Sequence, residues 1–323
     1  MEKAGLVLSA VLVFVGATQT VAAAGKIKGQ TFGDYYVVLA ADDGETNLLE
    51  KCNAFQLRRI YFTYEQSLDD NFSIRYRLEA KDAGFGKGAK MEPFVKHGYL
   101  QWQNALGGSD LYLGLTGTPT WAIAEKVWGY RSIAKTLLDL NEIGSSADLG
   151  AALKGQLGQL GYHVMVGNGP GQTPEDDHGK KLYGSLSFKA SDKLVLEGYA
   201  DFNMRPVGQN QLTLKVFAGL QGEGFNVGAE IFSRTNAQAA GGEDLTISGL
   251  SAFGALPFGE SLKGFGRVDA VANDATDTTD LLVIAGLDHS PAQNVHLLPN
   301  LLVALPDGPD PHIQGRLTFD YKF

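Results

Sequence analysis

Apolar and polar residues alternate through most of this chain, and that period of two constrains its fold more than any other feature. At the C-terminal end Ile313, Gly315, Leu317, Phe319, Tyr321 and Phe323 take one parity. His312, Gln314, Arg316, Thr318, Asp320 and Lys322 take the other. Residues 72–81, 193–202 and 211–220 repeat the pattern. Successive side chains of a strand point to opposite faces, so each run reads as a β-strand with one apolar face. Strands in soluble sandwiches usually run about 5–6 residues. These runs extend over about 10–13 residues, the length of a tilted strand crossing a bilayer.

The connections alternate as well. Short turns are expected near 66–70, 104–109, 156–160, 189–192, 221–224, 258–261 and 289–293. Between them lie mostly longer, polar or Gly/Pro-rich segments near 41–52, 82–93, 118–146, 168–179, 205–208, 236–244, 273–279 and 306–311. The count gives about 16 strands. An even number, short turns on one side and long loops on the other describe an all-β fold, a transmembrane antiparallel β-barrel. Closure leaves no free strand edge in lipid, and both termini fall on the short-turn side. Three stretches resist the pattern. Arg58 and Arg59 stand side by side in 53–65, so parity breaks there or one arginine sits at an interface. Residues 245–256 and 281–288 are apolar on both parities.

Composition narrows the classes. The 323 residues include a single cysteine, which excludes a disulfide scaffold and a Cys-rich metal protein. A net charge of −9 argues against nucleic-acid binding. Mean hydropathy is −0.08, and beyond the N-terminus no apolar run approaches the length of a membrane helix. Residues 1–24 read as a cleaved signal peptide: Lys3, an apolar stretch from Gly5 to Gly16, then Ala22-Ala23-Ala24. Residues 25–323 then form one exported barrel. Tyr35, Tyr36, Phe62, Tyr64, Phe72, Trp102, Phe188, Phe319, Tyr321 and Phe323 are candidates for aromatic girdles at the membrane interfaces.

Several segments carry a family likeness. They are Phe32-Gly33-Asp34-Tyr35-Tyr36, Leu57-Arg58-Arg59-Ile60-Tyr61 and Phe72-Ser73-Ile74-Arg75-Tyr76-Arg77-Leu78-Glu79. Further along come Trp128-Gly129-Tyr130-Arg131-Ser132, Ser145-Ser146-Ala147-Asp148-Leu149-Gly150 and Gly167-Asn168-Gly169. Together they make the chain resemble bacterial outer-membrane porins of the phosphate-selective porin O and P type, most clearly before about residue 205. The resemblance implies a 16-stranded barrel, often a homotrimer, passing small hydrophilic solutes passively. It also implies that the terminal Phe323, following Tyr321 on one face, addresses the barrel-insertion machinery. Phosphate-specific members need a ladder of arginines on constriction loops and a lysine cluster. The longest loop here offers Lys126, Arg131 and Lys135 among Glu125, Asp139 and Glu142.

The inward parity carries the chemistry. Arg58, Arg75, Arg77, Lys81, Lys154, Lys215, Arg267 and Arg316 are assigned to the lumen, and Lys126, Arg131 and Lys135 to the long loop. Bases outnumber acids on that parity, and the excess acid falls in loops. A cationic low-dielectric channel favours anions, so a weak anion preference for small anionic or neutral solutes is expected. The alternative is a self-paired lumen wall. Segment 118–146 is long enough to be functional. It is expected to fold inward as the constriction, with a helix over 133–140, and Arg131 either meets solute or pins the loop through Glu125 or Asp139. Acidic loop clusters such as 175–178 could bridge divalent cations to lipopolysaccharide, and are otherwise solvated surface. No Gly-x-Ser-x-Gly or His-Glu-x-x-His motif occurs, and the six histidines lack ligand spacing. No enzyme, metal site or cofactor is therefore expected. A substrate-specific channel for phosphate or another anion, and a structural or adhesive barrel with a closed lumen, are the alternatives to a general pore.

Overall fold

The computed structural model describes residues 24–41, 52–82, 90–175, 177–238, 242–308 and 310–323. The signal-peptide reading lies outside them, apart from residue 24. So does most of the loops expected at 41–52 and 82–93.

Sixteen strands alternate along the chain. The first half comprises β1 (Lys26–Ala40), β2 (Asn53–Ser67), β3 (Phe72–Lys81), β4 (Glu92–Leu106), β5 (Ser109–Gly117), β6 (Ala147–Leu157), β7 (Leu160–Gly167) and β8 (Lys181–Lys189). The second comprises β9 (Leu194–Asn203), β10 (Gln211–Gln221), β11 (Asn226–Asn236), β12 (Leu245–Pro257), β13 (Leu262–Asn273), β14 (Thr278–Ala292), β15 (Val295–Leu305) and β16 (His312–Lys322). Two short helices, α1 (Ala122–Trp128) and α2 (Leu137–Leu140), lie between β5 and β6. Each strand pairs with its sequence neighbours, and β1 pairs antiparallel with β16, so the sheet closes into a barrel. Six of the seven expected short turns and the eight expected longer connections fall at gaps between strands; the turn expected at 289–293 is displaced, because β14 runs on to Ala292 and the chain reverses at 293–294.

The barrel is inverted relative to a soluble protein. Along β10, Leu214 and Val216 are 50% and 62% exposed, whereas Thr213, Lys215 and Phe217 are at most 2% exposed. An apolar surface of this kind needs lipid around it, and a polar interior needs partners. Phe62, Trp102, Phe188, Tyr321 and Phe323 point outward as girdle candidates, and Phe72 stacks on Trp102 with ring centroids 5.5 Å apart. Tyr36 does not. It shares its parity with Asp34, which bonds Arg58 in the lumen, and it is buried.

The Arg58–Arg59 irregularity is a β-bulge. Phe32 pairs with Arg59 but Asp34 pairs with Gln56, so β2 carries one extra residue there. Both arginines consequently point inward. Gly33 lies against the bulge, where a Cβ would come within 2.2 Å of the Gln56 carbonyl oxygen. Only glycine fits that approach. A second bulge, between Arg77 and Leu78 on the pairing with β4, does the same for Lys96 and His97.

The strands that are apolar on both faces have a matching explanation. In β12 and β14 the inward residues Phe253, Ala255 and Ile284 are covered from inside by the 118–146 segment. That segment packs Ala124, Val127, Trp128, Tyr130, Ile133 and Ala134 against them and against Phe217, Phe265 and Leu298. A second cluster joins Trp121, Leu137, Leu138 and Ile143 to Phe232. Lipid covers one face of these strands and the loop covers the other.

The helix expected over 133–140 is confined to Leu137–Leu140, and α1 stands where none was expected. The reason is competition for backbone groups. Ile133 O accepts from Arg58 and Arg316, and Lys135 O from Arg267. The amide that would close a turn on Ile133 O, Leu137 N–H, goes instead to Glu230, and Thr136 is extended at ψ 168°. Helix α1 ends where Gly129 takes the left-handed conformation at φ 74° and its N–H bonds Glu125 O at 3.0 Å.

Candidate functional site

The lumen is divided by the inserted loop, and the inward-facing bases sort into two groups. One group anchors the loop. Lys215 Nζ donates to Thr120 O and to Glu197 Oε2, each at 2.8 Å, and its side chain is fully buried. Arg267 grips Asp269 and the Lys135 carbonyl, equally buried. Both were expected to line the channel. The structure corrects this: the loop covers them, and their charge is spent on carboxylates and loop carbonyls. Asn226 donates to Val127 O and Trp128 O at 2.6 and 3.1 Å. Leu137 N–H donates to Glu230 Oε1 at 3.2 Å, and Tyr130 OH to Asp288 Oδ2 at 3.2 Å. Backbone groups that a loop would otherwise leave bare inside a protein are thus satisfied by the wall.

The other group faces open lumen along β2 to β7. Arg75 lies 3.4 Å from Glu65, which also binds Lys28 at 2.7 Å. Arg77 Nε donates to Thr63 Oγ1 at 2.7 Å, and its guanidinium sits 5.4 Å above the Tyr61 ring. Lys154 Nζ is 4.3 Å above the ring of Tyr112. Glu79, at 1% exposure, serves two bases, Arg59 and Lys96, the latter at 3.0 Å. Among the described residues Arg77, Lys154 and Arg316 form no ion pair with a carboxylate. Lys81 lies exposed towards the long-loop end of β3, and Lys126 is exposed towards the short-turn end.

The loop's own charges are balanced. Arg131 lies between Glu125 at 3.2 Å and Asp139 at 3.6 Å, and Lys135 binds Asp139 at 2.9 Å. Arg131 therefore pins the loop through both acids. Enclosure by the barrel strips water from Glu125 and pushes its carboxyl above the ordinary value; Arg131 opposes the shift and Asp139 adds to it. Lys96 and Arg59 also act weakly against the shift. Tyr130 is likewise raised by burial and by Asp288.

Asp34, Arg59, Lys96 and Lys181 are lumen residues outside the expected set. Lys181 binds Asp201 at 3.1 Å. The adjacent polar pair Lys96-His97 was the available signal for a second bulge, as Arg58-Arg59 was for the first. Among the described residues no group of three or more His, Cys, Asp or Glu is placed to hold a metal ion.

No family model matches the sequence, and no curated protein matches it. Solved structures do match the fold. The chain superimposes on the outer-membrane channel DcaP of Acinetobacter baumannii with TM-score 0.70 at 11% identity, covering 93% of this chain and 97% of that one. An anion-selective porin from Comamonas acidovorans gives 0.67 at 10% identity, covering 93% and 99%. OmpT of Vibrio cholerae in its trimer form gives 0.64 at 11% identity, again covering 93% and 99%. The architecture is that of bacterial outer-membrane porins.

Proposed function

We propose that the chain is an outer-membrane porin that passes small hydrophilic solutes by passive diffusion and weakly prefers anions. The observation that carries this reading is the unequal pairing across the lumen. The loop side is neutral, with Arg131 and Lys135 held by Glu125 and Asp139. The wall opposite gives one carboxylate, Glu79, to two bases, and leaves Arg77 and Lys154 unpaired among the described residues. Fixed positive charge in a narrow channel raises the local concentration of anions. The kinship of fold with an anion-selective porin supports the same reading.

Phosphate specificity is not part of it, because Arg131 and Lys135, two of the loop's three bases, are engaged by the loop's own Glu125 and Asp139. Export through the 1–24 signal, insertion aided by Phe323, contact with lipopolysaccharide and assembly as a homotrimer complete the proposal; the trimer form of a solved porin of this fold supports the last. Proteoliposomes containing the purified protein test it. They should swell in isosmotic solutions of small sugars and amino acids. Absence of swelling would instead favour a structural barrel with a closed lumen.

A further inference from the structure

Above the loop, on the long-loop side, the lumen holds a cavity of about 610 Å³. Its two walls differ in chemistry. On β13 to β15 the inward residues Val271, Leu282, Leu302 and Ala304 continue the apolar strip past the edge of the docked loop, and are only half-buried. Leu140 of the loop projects beside them, 40% exposed. Ile284 and Leu298 are covered by the loop, whereas Val271, Leu282 and Leu302 pack against the loop clusters on one side only and turn the rest of their surface to the cavity. Apolar surface facing a water-filled lumen marks a place where something apolar sits.

The other wall is cationic. Arg58 Nη1 and Arg316 Nη1 converge on one acceptor, the Ile133 carbonyl oxygen, each at 3.4 Å. Among the described residues Asp34, bound to Arg58, is the carboxylate that pairs with this couple. Arg316 has only the Gln314 amide oxygen, at 2.7 Å, and the shared carbonyl. Lys81 adds a base at the rim. Three further carboxylates line the cavity: Asp269 binds Arg267, Asp280 accepts the N–H of Asp307 at 3.0 Å, and Asp82 stands next to Lys81 at the rim. Two guanidinium groups with one acid between them hold an anionic head readily, because their planar donors match a carboxylate.

We propose that this vestibule is a subsite for organic anions with an apolar body, aromatic or branched-chain carboxylates, with the head at Arg316 and Arg58 and the body against Leu282, Leu302 and Leu140. The proposal rests on the reading of the lumen as an anion-conducting path, and names the solute class that the path favours. A cavity of this size accommodates such a molecule. An apolar wall gives no advantage to chloride, acetate or phosphate, so the subsite separates organic anions by their bodies rather than by charge.

The test is block of chloride current through the reconstituted protein by benzoate, acetate and benzyl alcohol. Burying a ring against an apolar wall should bring half-block by benzoate to a concentration at least about tenfold below that of acetate. Benzyl alcohol, lacking the charge, should not block. Arg316→Gln should move benzoate towards the acetate value, and Leu302→Gln should weaken benzoate while leaving acetate unchanged. If Arg316→Gln does not give a heat-modifiable barrel, Leu302→Gln decides alone. Equal block by benzoate and acetate, or equal block by benzoate and benzyl alcohol, overturns the proposal. Calorimetric titration of the detergent-solubilised protein with benzoate separates the two readings. Binding without chloride conductance would sustain the subsite and sink the pore; conductance without benzoate discrimination would do the reverse.

Discussion

Arg58 and Arg59 owe their positions to one extra residue. Without the bulge in β2, alternation would send one guanidinium into lipid, where a charge costs about 2–4 kcal/mol at the midplane. With it, Arg58 reaches Asp34 and the loop, and Arg59 reaches Glu79. Glu125 sits on the inserted loop against Arg131. Its carboxyl is raised chiefly by loss of water, so it takes up a proton at higher pH than an exposed glutamate. As pH falls, the lumen therefore loses this negative charge before the exposed surface glutamates titrate. Preference for anions should rise over the same fall, read as a shift in reversal potential. Glu125→Gln should move the neutral-pH selectivity toward the low-pH value and reduce its pH dependence.

The inserted loop is the element on which the interior depends. Trp128 is fully buried among Tyr130, Phe253 and Phe265, and its indole N–H donates to Ala134 O at 3.0 Å. Trp128→Ala should cost the docked loop about 3–5 kcal/mol. In single-channel records it should appear as larger and noisier openings, and deleting residues 122–140 should raise conductance roughly twofold or more. A loop lying outside the passage would leave conductance unchanged. Strands and turns were legible in the sequence because a half-apolar strand writes its period residue by residue, as in His312–Lys322. The loop's landing surface was legible only as a loss of that period at 245–256 and 281–288. What replaced the period, a second apolar partner on the inner face, lies far away in the chain. The same distance hid the fate of Lys215 and Arg267: parity puts both inside correctly, but only the loop's position decides whether they meet solute or anchor Thr120 and Lys135. The helix at 133–140 failed for a related reason, since Leu137 N–H is claimed by Glu230 of β11 and the turn before it is held to the wall by arginines of β2, β13 and β16.

At the scale of the whole molecule, closure joins the two ends of the chain. Gly29 N–H donates to Phe323 O at 2.8 Å and Phe323 N–H to Gly29 O at 3.1 Å, while the Phe323 ring lies where a Gly29 Cβ would stand, 2.2 Å away. Gly29→Val should displace the ring and lower the fraction that migrates as a compact, heat-modifiable band on unboiled gels. The neutral mean hydropathy and net acidity also resolve at this scale. Apolar side chains are shared among sixteen outward faces, so no segment reads as a membrane span. Acid collects in loops while the wall of β2 to β7 keeps unmatched bases. The central claim is that the docked loop leaves a passage lined by those bases. The most direct test is the zero-current potential of the purified protein in a planar bilayer under a KCl gradient. A potential of the sign set by chloride flux is the predicted result; a potential set by potassium flux would contradict it.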